Sequence, residues 1–81
     1  MNLITAILEA YRDGKPHNAA IIEADLRKSF NLRETCRTAF ILDGLKDDGA
    51  MKELRVDEYQ ITGAGLEMLG RLRNEAQVKR A

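Results

Sequence analysis

Two arginines, Arg33 and Arg37, stand four residues apart with Glu34 beside the first, and two further cations, Lys52 and Arg55, follow later in the chain. An arginine fork pairs with guanine edges or phosphates, and a lysine supplies a point charge for phosphate, so this grouping suits recognition of a polyanion. Between them lie Phe40, Asp43, Gly44 and Asp47. An aromatic next to a glycine, rimmed by carboxylates, suits a protein partner with basic groups. Bond-making chemistry has much less to work with. His17 is the only histidine and Cys36 the only cysteine, so no metal-ligand spacing exists and no cofactor is expected. Cys36 reads as a redox sensor, its thiolate favoured by Arg33 and Arg37, or as a bystander thiol. His17 reads as a solvated turn residue or a pH-sensitive group. Gly63-Ala64-Gly65 is too little for a phosphate loop, and Asp47-Asp48 and Asp57-Glu58 read as surface charge. The expectation is a binding protein and not an enzyme.

The 81 residues are expected to form one domain spanning 1–81, with a thin core at this size. A single thiol cannot form an internal disulfide. Together with the lack of a leader-like stretch, it points to a reducing, cytoplasmic setting. Thirteen basic and thirteen acidic side chains cancel, where a dedicated nucleic-acid binder usually carries a basic excess. The balance is local as well: four basic and four acidic groups in 1–28, three and four in 29–49, two and three in 50–62, four and two in 63–81. Any cationic face must come from placement, not from total charge.

The elements that would place these groups follow from periodicity. Apolar residues at 3, 4, 7, 8 and 11 form one helical stripe, ended by Gly14 and Lys15-Pro16. Asn18 is a good cap for a second helix, with Ile21, Ile22, Leu26 and Phe30 expected on its buried side. Ser29-Phe30-Asn31-Leu32 reads as a turn. A third helix is expected from about Arg33 to Asp48, closed by Gly49. On it Thr38, Ile41, Leu42 and Leu45 should meet the core, leaving Cys36, Phe40, Asp43 and Asp47 outside and Arg37 and Gly44 at one edge. From Ala50 the pattern turns extended, with a reversal around Val56-Asp57-Glu58 and a period of two at Tyr59 and Ile61. Thr62 then caps a last helix of about 63–78, and 77–81 read as a fraying tail. The stripe of Gly65, Met68, Leu69, Leu72 and Ala76 on that helix either packs on the first helix or pairs two chains.

Leu42-x-x-Leu45-x-x-x-Gly49-x-Met51 followed by Tyr59-Gln60-Ile61-Thr62-Gly63-Ala64-Gly65 resembles winged-helix regulators of the MarR and PadR kind, over about Leu3 to Leu72. The resemblance implies a mainly α fold: a three-helix core containing a helix-turn-helix, a two-stranded β wing and a C-terminal helix. It also implies that the first half of the third helix enters the major groove while the wing touches flanking backbone. The sequence departs from the pattern at Asn31-Leu32-Arg33-Glu34-Thr35, and its wing tip is acidic.

The function expected is sequence-specific binding of double-stranded DNA in transcriptional control. Arg33, Glu34 and Arg37 would contact bases, Lys52 and Arg55 the backbone, and a homodimer paired through Met68, Leu69, Leu72 and Ala76 would match a two-fold site. The alternative is a protein–protein module on the same scaffold, an adaptor or a phage or mobile-element effector, using Phe40, Asp43, Gly44 and Asp47.

Overall fold

The computed structural model describes residues 3–31, 33 and 37–80, the side chains of 76–80 excepted. Helix α1, Leu3–Ala10, turns Ala6, Ile7 and Leu8 inward, and Tyr11 follows as a fully buried ring. The chain then reverses through Gly14, whose φ of 77° is open to glycine at little cost and whose N–H reaches the Tyr11 carbonyl at 3.1 Å.

The residues that leave this turn depart from the sequence expectation. His17–Asn18, read as part of a turn, forms a short strand β1. It pairs antiparallel with β3, Glu58–Ile61, setting His17 opposite Tyr59 and Asn18 opposite Glu58. The expected two-stranded wing is therefore part of a three-stranded antiparallel sheet in the order β1-β3-β2, with β2 at Met51–Arg55. Two residues are too few to show a period of two, so only the paired partner reveals this strand.

Asn18 also caps α2, Ala19–Leu26, its side-chain oxygen accepting from the N–H groups of Ala20 (2.8 Å) and Ile21 (3.3 Å). The inward stripe of α2 is Ala19 and Ile22, with Leu26 half-buried. Ile21 was expected on this buried side, but it is 64 % exposed. The cap fixes the phase of the helix: Ala19, Ile22 and Leu26 are spaced three and four apart, and Ile21 lies about 100° from Ile22. Phe30 is half-buried beyond the end of α2.

Helix α3 is described over Thr38–Asp47, with Arg33 also helical; the start expected for it near Arg33 runs into residues outside those described. Thr38, Leu42 and Leu45 are buried and Ile41 half-buried, which is the expected inner face. Its end is a Schellman turn. Gly49, at φ 82°, donates to the Lys46 carbonyl at 3.0 Å, and Ala50 donates to the Leu45 carbonyl at 2.8 Å. The turn delivers the chain directly into β2.

Helix α4 covers Gly63–Arg80 and continues through the residues read as a tail, since 71–80 contain neither glycine nor proline to stop it. Thr62 caps it as expected. Its hydroxyl accepts from Gly65 N–H (3.1 Å) and donates to the Gly49 carbonyl (2.6 Å), while its own N–H meets the Ala50 carbonyl at 3.0 Å. Leu69 enters the core and Arg73 bridges to Glu9 of α1 at 2.6 Å. The molecule is mainly helical, its small sheet joined to the helices through one shared core. Among the described residues no helix is long and apolar enough to cross a membrane.

Candidate nucleic-acid interface

The hairpin β2–β3 decides where its cations point. Cross-strand partners share a face, so Met51 with Ile61 and Glu53 with Tyr59 form the inner face, and Lys52 with Gln60 the outer. Counted straight through, Arg55 would fall on the inner face with Glu53. A bulge at Leu54 shifts the register and sets Arg55 opposite Glu58, on the face of Lys52. The two expected phosphate-gripping residues are thus brought to one side of the hairpin, both exposed. Val56 and Asp57 form the two-residue turn, with Val56 87 % exposed and Asp57 at φ 62°.

On the inner face the carboxylates are engaged. The buried Tyr59 donates its hydroxyl to Asp43 Oδ1 at 3.0 Å. Lys46 Nζ reaches Glu53 Oε1 at 3.3 Å and lies 4.0 Å from Asp43 Oδ1. Burial, and then the Asp43 carboxylate, push the Tyr59 hydroxyl well above its ordinary range, so it stays a donor. The hydrogen bond to Glu53 and that carboxylate's charge hold Lys46 more firmly protonated, with Asp43 and Asp47 adding to the effect. This four-residue cluster ties α3 to the hairpin. Asp43 is exposed, as foreseen for an outward acidic face, and its carboxylate in addition accepts the Tyr59 bond.

Arg37 stands exposed at the start of α3, and Arg33 is exposed before it. Glu34 and Cys36 lie outside the described residues. The ten residues of α3 put about 15 Å between Arg37 and the turn into β2, so the arginines and the hairpin cations stand at opposite ends of one helix. Between them Phe40 is 82 % exposed, with Gly44 and Asp47 exposed on the turns that follow.

Of the residues expected in a dimer seam, Leu69 is buried in this chain's own core, and Met68 and Leu72 are half-buried against it. The side chain of Ala76 lies outside those described. The remaining titratable candidate, His17, sits between two partners. Its Nε2 contacts Asp13 Oδ1 at 2.9 Å, and its ring lies edge-on to Tyr11, with centroids 5.5 Å apart. The Lys15 N–H first, and His17 second, hold the Asp13 carboxyl below its usual range. Sequence reasoning recognised Asn18 as a cap but not the strand beside it. Nor did any sequence signal mark the bulge or the bond from Tyr59 to Asp43, since each depends on pairing between distant residues. No protein-family model matches this chain, and no curated protein or solved structure is significantly similar to it.

Proposed function

We propose that this chain is a winged-helix domain that binds double-stranded DNA and acts in transcriptional control. Helices α2 and α3 touch, α3 turns tightly into a hairpin, and α4 returns against α1. That is the order of elements expected from the resemblance to MarR and PadR regulators.

One observation carries the reading. The carboxylates at the α3–hairpin junction, Asp43 and Glu53, are engaged by Tyr59 and Lys46, whereas Arg33, Arg37, Lys52 and Arg55 are exposed and have no ion-pair partner among the described residues. A neutral protein can attract phosphate only if it separates its charges, and this arrangement spends Lys46 on Glu53 and Asp43 while the four exposed cations stay unpaired, with Asp47 and Asp48 left exposed toward the end of α3. In the proposed complex Arg33 and Arg37 read base edges from the start of α3, with Glu34 beside them, while Lys52 and Arg55 grip backbone from the outer hairpin face. Two copies joined along the half-covered Met68–Leu72 flank of α4 would present two such helices to a two-fold site.

The test is a titration of mixed-sequence duplex DNA at about 50 and about 200 mM salt. Affinity should fall steeply with salt, and Lys52→Glu or Arg55→Glu should each flatten the slope of log affinity on log salt by about one or more. A folded protein that ignores duplex DNA at the lower salt would refute the proposal.

A further inference from the structure

Two features of α3 cost stability and return nothing inside the chain. The Phe40 ring is 82 % exposed, leaving most of its apolar surface in water. Gly44, one turn on, occupies a helix interior, where glycine is less favourable than alanine. Neither packing nor backbone requires that glycine, because a Cβ there would meet nothing within 4 Å and its φ is not positive. Asp47, three residues further, projects within about 60° of both around the helix, and Asp48 follows at the C-cap. Both acids are exposed and have no ion-pair partner among the described residues; the neighbouring Lys46 is taken by Glu53 and Asp43.

We propose that Phe40, Gly44 and Asp47 form the docking surface for an amphipathic helix of a partner protein, an apolar stripe flanked by lysine or arginine. Phe40 is the anchor, Gly44 lets the partner's backbone approach closely, and Asp47 and Asp48 select a basic flank. Arg37 borders the other end of the surface, so the partner's cations belong at the Asp47 end. Charge excludes DNA from this middle section, because phosphates would meet two unpaired carboxylates. A second copy of the chain is the poorer occupant, since of the cations described within its helices α1 to α4 Lys46 and Arg73 already pair with Glu53 and Glu9, which leaves Arg71 alone to face two carboxylates. A helix seated here would cover the turn carrying Arg37, so partner and duplex would compete. Only that competition rests on the DNA reading; the docking surface stands apart from it.

The probe is a fluorescein-labelled leucine/lysine amphipathic peptide of about 15 residues, with a leucine/glutamate peptide of the same pattern as control, read by anisotropy without DNA. The basic peptide should bind and the acidic one should not. Phe40→Ala should weaken binding about tenfold or more. Gly44→Gln should weaken it comparably while raising the melting temperature, which separates a lost surface from a lost fold. Arg37→Glu should leave peptide binding intact or tighter while abolishing duplex binding, so failure of either reading is seen separately. Absence of peptide binding, equal binding of both peptides, or indifference to both Phe40→Ala and Gly44→Gln would overturn the proposal. So would a dimer in sedimentation that Phe40→Ala dissolves, since the occupant would then be a second copy.

Discussion

Replacing Gly65 with alanine should damage this fold, whereas the same change at Gly70, five residues along the same helix, should improve it. A Cβ on Gly65 would be driven into the Ala50 carbonyl oxygen and to 2.6 Å from Ile61 Cγ1. Carbon atoms in contact sit about 3.5–4.0 Å apart, so roughly 1 Å must be cleared. Neither neighbour can yield cheaply. The Ala50 carbonyl is held by the Thr62 N–H, and Ile61 is buried on the inner sheet face. The start of α4 would have to lift, loosening the Thr62 cap and the seating of Leu69. Overpacking of this kind costs about 1–3 kcal/mol and a weakened cap about 1 kcal/mol, against a propensity gain of at most about 1 kcal/mol. The net loss is about 2 kcal/mol, or a fall in melting temperature of about 8–16 °C for a domain of this size. At Gly70 a Cβ meets nothing within 4 Å, so only the propensity gain remains and melting should rise by several degrees. Thermal and urea unfolding followed by circular dichroism measure both. A Gly65→Ala protein that melts at or above the parent would refute the close approach of α4 to Ala50, and with it the stated reason for glycine at that position.

Three further outcomes follow from the hairpin and its supports. Tyr59→Phe removes the donor to Asp43 and should cost about 1 kcal/mol in urea unfolding; an unchanged midpoint would mean the hydroxyl does not tie α3 to the sheet. Asp57 holds φ at 62°, so Asp57→Gly should stabilise by about 0.5–1 kcal/mol and, by removing a carboxylate from the hairpin tip, tighten duplex binding; weaker binding at equal stability would count against the hairpin as a DNA contact. Burial pushes the Tyr11 hydroxyl up to about 12, above its unfolded value near 10, so its contribution to stability is complete below about pH 10 and lost as pH rises through 12. Unfolding measured at about pH 8 and about pH 11 should show that loss, and Tyr11→Phe should shrink it.

Much of the scaffold was legible because its signals are local. The stripe of α1 apart from Ile4, which is 42 % exposed, the Asn18 and Thr62 caps, the left-handed Gly49 and the turn at Val56-Asp57 each follow from a few adjacent residues, and each stands where the pattern placed it. What escaped depends on distant partners. Strand β1 exists because the end of β3 offers His17 and Asn18 a ladder, and the Ala19 N–H closes it on the Asp57 carbonyl at 2.6 Å. Ile21 is exposed because small Ala19 takes the inward position that hydrophobicity alone would have given to the isoleucine. At the candidate interface the residue types were readable but their facing was not. Arg55 joins Lys52 only through the bulge, and Asp43 turns to Tyr59 only because the hairpin folds back along α3.

Zero net charge is the fact that any binding reading must answer, and the internal pairing of this chain gives a physical answer. At about 0.15 M salt a charge is felt over roughly 8 Å, so a ligand responds to local groups and not to the sum over the molecule. The 15 Å length of α3 is about two such distances, enough for its ends to present different chemistry. At the first end stand Arg33 and Arg37. At the second, Lys46 cancels much of Glu53 and Asp43 while Asp47 and Asp48 stay free, and Lys52 and Arg55 face away across the sheet. A duplex would favour the arginine end and the outer hairpin face; a basic helix would favour the Phe40–Asp47 stretch. Raising salt weakens both, but by different amounts. Duplex binding is dominated by counterion release, whereas the anchor of the peptide complex is an apolar ring whose burial salt does not screen. The ratio of the two affinities should therefore shift toward the peptide as salt rises, a trend that net charge alone could not produce.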